Sequence, residues 1–257
     1  MSFRTKKSLG QHFLTDNNII NKILKSVNAE DGDRVIEIGP GTGALTKWLV
    51  QQHKDVHAIE VDQRAVAVLE EQLEGLTIHQ KDVLKVDWTE LITETGNTYV
   101  IGNLPYYITS PILFSLLESR EYFSEAILMM QKEVAQRLVA SPSNKDYGIL
   151  SVQTQLMSTP EILFDVSPNS FSPPPKVMSS VIRLTFDKPK LPCSDKTLKT
   201  VVRTAFNQRR KKLSNSLKPA VGDFFPDGFN YDERAENWSP DRYADLAHLL
   251  EKSSSQE

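Results

Sequence analysis

"RVIEIGPGTGALTKWL", residues 34 to 49, decides how the chain is read. Arg34 to Ile38 is a short, largely apolar run of the kind that forms a buried strand, and Leu45, Trp48 and Leu49 recur at the spacing of one helix face. Glycines 39, 41 and 43 stand between the two. A strand that turns into a helix through such a loop lets the backbone pass close to a ligand and aims amide N–H groups at it.

The same alternation continues downstream. Val56-His57-Ala58-Ile59 reads as a second strand, followed by Ala65, Leu69 and Leu73 on a helix face. Thr77 to Gln80, Tyr99 to Ile101 and Ile127 to Met130 read as three further strands. Ser110-Pro111 resembles an N-cap and first helical position, with Ile112, Leu113, Leu116 and Leu117 as the stripe behind it. This β-α rhythm predicts an α/β, Rossmann-like, mostly parallel doubly wound sheet. After about residue 145 the rhythm changes to a helix over 147–157 and strands at 161–164 and 181–186. The two late strands are too close for a crossover helix, so an antiparallel late strand is expected. Lys188 to Pro192 reads as a linker and the rest as a small helical domain ending in a frayed 253–257. The expected domains are 1–187 and 188–257.

Composition narrows the classes further. Hydrophobic residues make up 39% and charged residues 25% of the 257, ordinary for a globular protein and incompatible with wholesale disorder. The single Cys193 cannot form an internal disulfide, and neither a secretory signal nor a membrane span is evident, so a cytoplasmic protein is expected. The net charge of −3 hides a division: residues 1–187 carry 17 basic against 23 acidic residues, and 188–257 carry 13 against 10. From Lys196 to Lys218 there are eight basic residues and no acidic one, a concentration suited to phosphates and also compatible with a solvated helix face.

Gly39, Gly41 and Ala44 satisfy a dinucleotide fingerprint, and Glu60 lies 21 residues after Gly39, where a ribose-binding carboxylate belongs. Spacing alone does not separate NAD from another adenosine cofactor. Asp82 ends the third strand, where it can meet an adenine amino group or cap a helix. Glu37 is open between a ligand role and bracing the glycine loop. With Asn103 after the fourth strand, four successive strand ends supply a polar group to one crevice, a spread that suits S-adenosylmethionine.

"GNLPYYITSP", residues 102 to 111, suits a flat, amine-bearing base. The Asn103 amide oxygen and the Leu104 carbonyl can accept the two hydrogens of an adenine N6, Pro105 stiffens the turn, and Tyr106 can stack on the ring. Asn rather than Asp orients the amine without stabilising a cationic cofactor in its ground state. Phe171, ahead of Pro173-Pro174-Pro175, is a candidate for the other face of an extruded base, although such a residue also suits a core. Tyr107 and Trp88 are assigned to packing.

"SLGQHFLTD", "EIGPGTGALT", "AIEVD", "QKDVL", "GNLPYYITSP", "FSPPPKV" and "AFNQRRKKLSNSL" occur in this order, and the chain so resembles the ribosomal RNA adenine N6,N6-dimethyltransferases, above all the bacterial small-subunit branch. The resemblance implies a class I methyltransferase fold and S-adenosylmethionine contacts at His12, Leu14, Gly39, Glu60, Asp82 and Asn103, with no metal. It also implies that Asn103 orients the target amine. The implied reaction is dimethylation of two adjacent adenosines in the 3′-terminal hairpin of 16S rRNA, by a monomer acting on the small ribosomal subunit or its precursor during ribosome biogenesis. Some relatives have Asn at the position of His12. A large-subunit RNA target, a mainly non-catalytic assembly factor and a nicotinamide oxidoreductase are the alternatives.

Overall fold

Apolar residues in unbroken runs, rather than in alternation, dominate the strands of this chain, and the computed structural model shows why. Val35 and Ile36, Val100 and Ile101, Ile127 and Leu128, and Val181 and Ile182 are successive residues that point to opposite faces of a sheet, and all are at most 2% exposed. Both faces are therefore covered. Each such side chain contributes about 1.5–3 kcal/mol on burial. The structure describes residues 11–93, 95–222 and 224–254. Residues 8–10 of the first motif and 255–257 of the expected frayed end lie outside them.

In chain order the elements begin with β1 (Phe13–Leu14), α1 (Asn17–Leu24), β2 (Arg34–Ile38), α2 (Thr46–Gln52), β3 (Asp55–Ile59), α3 (Gln63–Gln72) and β4 (Leu76–His79). They continue with β5 (Thr98–Asn103), α4 (Thr109–Glu118), β6 (Glu125–Gln131), α5 (Lys132–Leu138), α6 (Ile149–Met157), β7 (Thr159–Val166), β8 (Phe171–Ser172) and β9 (Ser179–Thr185). The remainder is helical: α7 (Asp195–Asn207), α8 (Leu213–Ser216), α9 (Lys218–Val221) and α10 (Pro240–Ser254). Local chemistry sets several of the helix starts. Asp16 accepts the Asn18 and Ile19 N–H groups ahead of α1, Asp62 accepts that of Arg64 ahead of α3, and Ser194 accepts that of Thr197 ahead of α7.

Seven strands form one sheet in the order β4-β3-β2-β5-β6-β9-β7. The pairs from β4 to β6 are parallel, and β9 runs antiparallel to β6 with Gln131 opposite Ser179. The fold is thus the mostly parallel α/β sheet with an antiparallel late strand that the sequence predicts, and β7 and β9 are neighbours. The sequence reading missed α5 and the small pairing of β1 with β8, antiparallel with Phe13 opposite Ser172 and Leu14 opposite Phe171. Two-residue strands have no periodicity, and this pairing joins residues 157 and 159 positions apart.

The chain divides into two compact units, residues 1–135 with 161–186, and residues 136–160 with 187–257. Residues 136–160, which the sequence reading grouped with the first domain, fall in the unit that holds 187–257. The reason is packing: α6 lies against α7 and α10. Within this second unit Trp238, Tyr147 and Tyr243 are fully buried. Their polar atoms are paired, Tyr147 Oη donating to the Trp238 carbonyl at 2.8 Å and Tyr243 Oη to the Ala235 carbonyl at 2.6 Å, as burial requires. Among the described residues no helix is long and apolar enough to cross a membrane.

Candidate active site

Parallel strands deliver their carboxyl ends to one edge of a sheet, and the residues just beyond them share a crevice. Here β4, β3, β2 and β5 are neighbours, so Asp82, Glu60, Gly39 and Asn103 follow one another along that edge. All four line a cavity of about 330 Å³, a size suited to a small organic ligand.

The glycine loop forms its floor. Gly39 (φ +66°) and Gly41 (φ +57°) occupy the left-handed region that L side chains avoid. A Cβ on Gly39 would meet open space, whereas one on Gly41 would lie 2.7 Å from Phe13 Cε1. Phe13 therefore rests on the loop because Gly41 has no side chain. Glu60 holds the loop from the other side: its Oε2 accepts the Gly41 N–H at 3.1 Å and its Oε1 the Asp62 N–H at 2.8 Å. Burial raises the Glu60 carboxyl above its ordinary range, against those backbone donors. The Val61 N–H is a third backbone donor to this carboxylate, and of its roughly four lone-pair sites one is left for a ligand hydroxyl.

Bracing of the loop, open for Glu37 in the sequence, is thus done by Glu60. Glu37 is 2% exposed and its Oε2 has no hydrogen-bond partner. Burial pushes its carboxyl up to about 7, with the Thr46 hydroxyl opposing and the Glu60 charge adding. Asp62 is anchored differently, since Arg64 Nη2 donates to it at 2.6 Å and holds its carboxyl far below the usual range. Asp82 fills the capping role considered for it, accepting the Leu84 N–H at 3.0 Å, while still lining the cavity.

Asn103 is the last residue of β5, and its Nδ2 donates to the His12 carbonyl at 2.9 Å. A carbonyl can only accept, which fixes the amide nitrogen toward His12 and turns Oδ1 away from it. The Leu104 N–H donates to the Met129 carbonyl at 2.9 Å, and the Pro105 carbonyl accepts from the Thr109 hydroxyl at 3.0 Å. These bonds hold the turn from both ends. The His12 ring stacks on Tyr106, centroids 5.7 Å apart and planes at 27°, and its Nδ1 lies 2.7 Å from the Pro173 carbonyl, so Nδ1 carries the hydrogen. Tyr106 is half-buried with its hydroxyl 2.6 Å from Ser179 Oγ, and burial raises its pKa.

Of the residues singled out from sequence, His12, Gly39, Glu60, Asp82, Asn103, Leu104, Pro105 and Tyr106 share the cavity lining. Leu14 and Phe171 do not. They face each other across β1 and β8 and are 5% and 4% exposed within the hydrophobic core. For Phe171 to cover a base, its ring would have to leave that core; in this arrangement it packs. Tyr107 departs in the opposite direction. It is 59% exposed at the cavity mouth with Val61 and Leu84, whereas Trp88 packs as expected, buried edge-on against Phe123 with Nε1 donating to Ser115 Oγ. Sequence reasoning also missed Phe13, Ile38 and Ile59. The last two carried a signal, being the final apolar residues of strands that end at the site; Phe13 carried none, because its place depends on pairing with residue 172. Among the described residues no cluster of three or more His, Cys, Asp or Glu side chains is arranged to hold a metal.

Comparison with known proteins agrees with this geometry. Curated relatives named "Ribosomal RNA small subunit methyltransferase A" include one from Salinibacter ruber, 46% identical over 97% of this chain and 86% of that protein. Another, from Porphyromonas gingivalis, is 45% identical over 98% of this chain and all of that protein. Among solved structures, a dimethyladenosine transferase from Plasmodium falciparum superposes with a TM-score of 0.76 at 27% identity, covering 95% of this chain and 98% of that one. The 23S rRNA methyltransferase ErmE does so at 0.68 and 25% identity, covering 93% and 99%. Residues 2–252 match the family described as ribosomal RNA adenine dimethylase. The chain belongs to the ribosomal RNA adenine dimethylase family.

Proposed function

We propose that the chain transfers methyl groups from S-adenosylmethionine to the N6 amines of two adjacent adenosines in the 3′-terminal hairpin of 16S rRNA, acting as a cytoplasmic monomer on the small subunit or its precursor. The residues present fit that cofactor. The open space above Gly39 and the remaining acceptor site of Glu60 suit its amino-acid and ribose parts, and Asp82, with Ile59 and Val83 in the same lining, suits the adenine. When bound, it supplies a methyl group on a positively charged sulfur, a strong electrophile.

The observation that carries the reading is the fixed amide of Asn103. Its nitrogen is committed to the His12 carbonyl, so Oδ1 is held ready to accept a hydrogen bond. An exocyclic adenine amine is a poor nucleophile because its lone pair is delocalised into the ring. Acceptance of its two hydrogens by Asn103 Oδ1 and the Leu104 carbonyl draws the nitrogen toward a tetrahedral shape and aims the lone pair at the methyl carbon. Tyr106 offers the base the ring face that His12 does not cover. The amine proton released on transfer passes to solvent, and no strongly basic side chain is needed. An aspartate at 103 would set a carboxylate oxygen against the His12 carbonyl, which explains the amide on structural grounds as well.

RNA affinity falls in this reading to the second unit, where Arg210 and Lys211 are exposed in the basic stretch. The test is to incubate the protein with tritiated cofactor and small subunits from cells lacking the modification, then map the label. Label in two neighbouring adenosines near the 3′ end of 16S rRNA is expected; label confined to large-subunit RNA, or none, would overturn the assignment.

A further inference from the structure

Ser179 opens β9 and is fully buried, yet its hydroxyl lies 2.6 Å from Tyr106 Oη, on a ring that lines the cavity. Tyr106 begins a single 3-10 turn that has no side-chain cap. Its ring is therefore held through its own contacts: His12 against one face and Ser179 at the hydroxyl. The next residue provides an internal control. Ser180 is equally buried but points to the opposite face of the strand, where its hydroxyl donates to Asp165 Oδ1 at 2.6 Å.

We propose that Ser179 is a positioning residue for methyl transfer, setting the orientation of the Tyr106 ring and through it the plane of the target base. This rests on the function proposed above. The consequence follows from geometry: a ring free to turn about its side-chain torsions presents the base at a range of angles, and in-line attack tolerates little misplacement. Ser179 is outside the cavity lining, so its effect must pass through Tyr106. Bulk RNA affinity, carried by phosphate contacts elsewhere, is left intact.

The experiment compares full-length wild type, Ser179→Ala, Tyr106→Phe, the double variant and Ser180→Ala on unmodified small subunits, measuring kcat and KM for the subunit and the affinity for S-adenosylmethionine. Ser179→Ala and Tyr106→Phe are each expected to lower kcat about tenfold, the worth of roughly one hydrogen bond, with KM within about twofold. The double variant should be no worse than Tyr106→Phe, because both remove the same bond, and Ser180→Ala should keep wild-type kcat. Additive losses, or equal kcat for Ser179→Ala and Ser180→Ala, would overturn the assignment. If Ser179→Ala fails to fold, Tyr106→Phe decides alone: wild-type kcat in that variant removes the proposal. An inactive wild type would instead remove the underlying function, a separate result.

Discussion

Alanine at Gly39 and at Gly41 should damage the protein in different ways, although the two positions are two residues apart in one loop. Both have positive φ, +66° and +57°, so either substitution places an L residue in the left-handed region at a cost of about 1–2 kcal/mol. At Gly39 the new methyl meets open space, and strain is the whole cost, a fall in Tm of about 2–8 °C. At Gly41 the methyl lies 2.7 Å from Phe13 Cε1, about 1 Å inside the optimum for two carbons. The Phe13 backbone is held by its pairing with Ser172, so relief has to come from rotation of the ring. Overpacking of this kind adds about 1–3 kcal/mol, making Gly41→Ala the less stable of the two. Thermal unfolding of both variants measures the difference, and Phe13→Leu in the Gly41→Ala background should recover most of it. Cofactor binding should rank differently relative to stability: Gly39→Ala, whose methyl enters the cavity, should lose at least about tenfold in affinity, a 1.4 kcal/mol effect. Equal stabilities for the two variants, or further destabilisation by Phe13→Leu, would refute the reasoning.

Glu37 makes stability depend on pH. Its carboxyl ionises near 4.5 when unfolded and is pushed up to about 7 by burial when folded. The folded chain therefore holds this proton more tightly, and the associated stability, about 3 kcal/mol, is complete below pH 4.5 and lost as the pH rises through 7. Glu37→Gln removes the titration, so urea unfolding from pH 5 to 8 should show a flatter decline than wild type; an unchanged slope contradicts the buried-acid account. Charge reversal at the exposed Arg210 and Lys211 should weaken small-subunit binding and lower the slope of log K against log salt by about 0.7–0.9 per lost phosphate contact. Cofactor affinity should stay constant, and an unaltered salt slope would place the RNA contact elsewhere.

The sheet was legible because its central strands are buried on both faces and so appear as continuous apolar runs, and because Gly39 and Glu60 directly follow such runs. Gly39, Glu60, Asp82 and Asn103, singled out at or near the ends of successive strands, line one cavity. What escaped depends on contacts between distant segments. Phe171 and Leu14 look like site residues from their motif neighbours, but the β1–β8 pairing turns both into the core. Tyr107 looks like core from its composition, but its place in a 3-10 turn leaves it 59% exposed at the cavity mouth. The division of labour between Glu37 and Glu60 was equally hidden, since two buried acids can be told apart only by which backbone N–H groups reach them.

The central claim is that the amide of Asn103, fixed by His12, holds the target amine in line for transfer. Single-turnover methylation of unmodified small subunits by Asn103→Ala tests it most directly, with cofactor and subunit affinities measured alongside. A loss of about 10²–10³ in the transfer rate is expected, as for removal of a preorganised polar group from a reacting centre, while cofactor affinity changes by less than about tenfold. Transfer within about threefold of wild type, a difference below 1 kcal/mol, would contradict it.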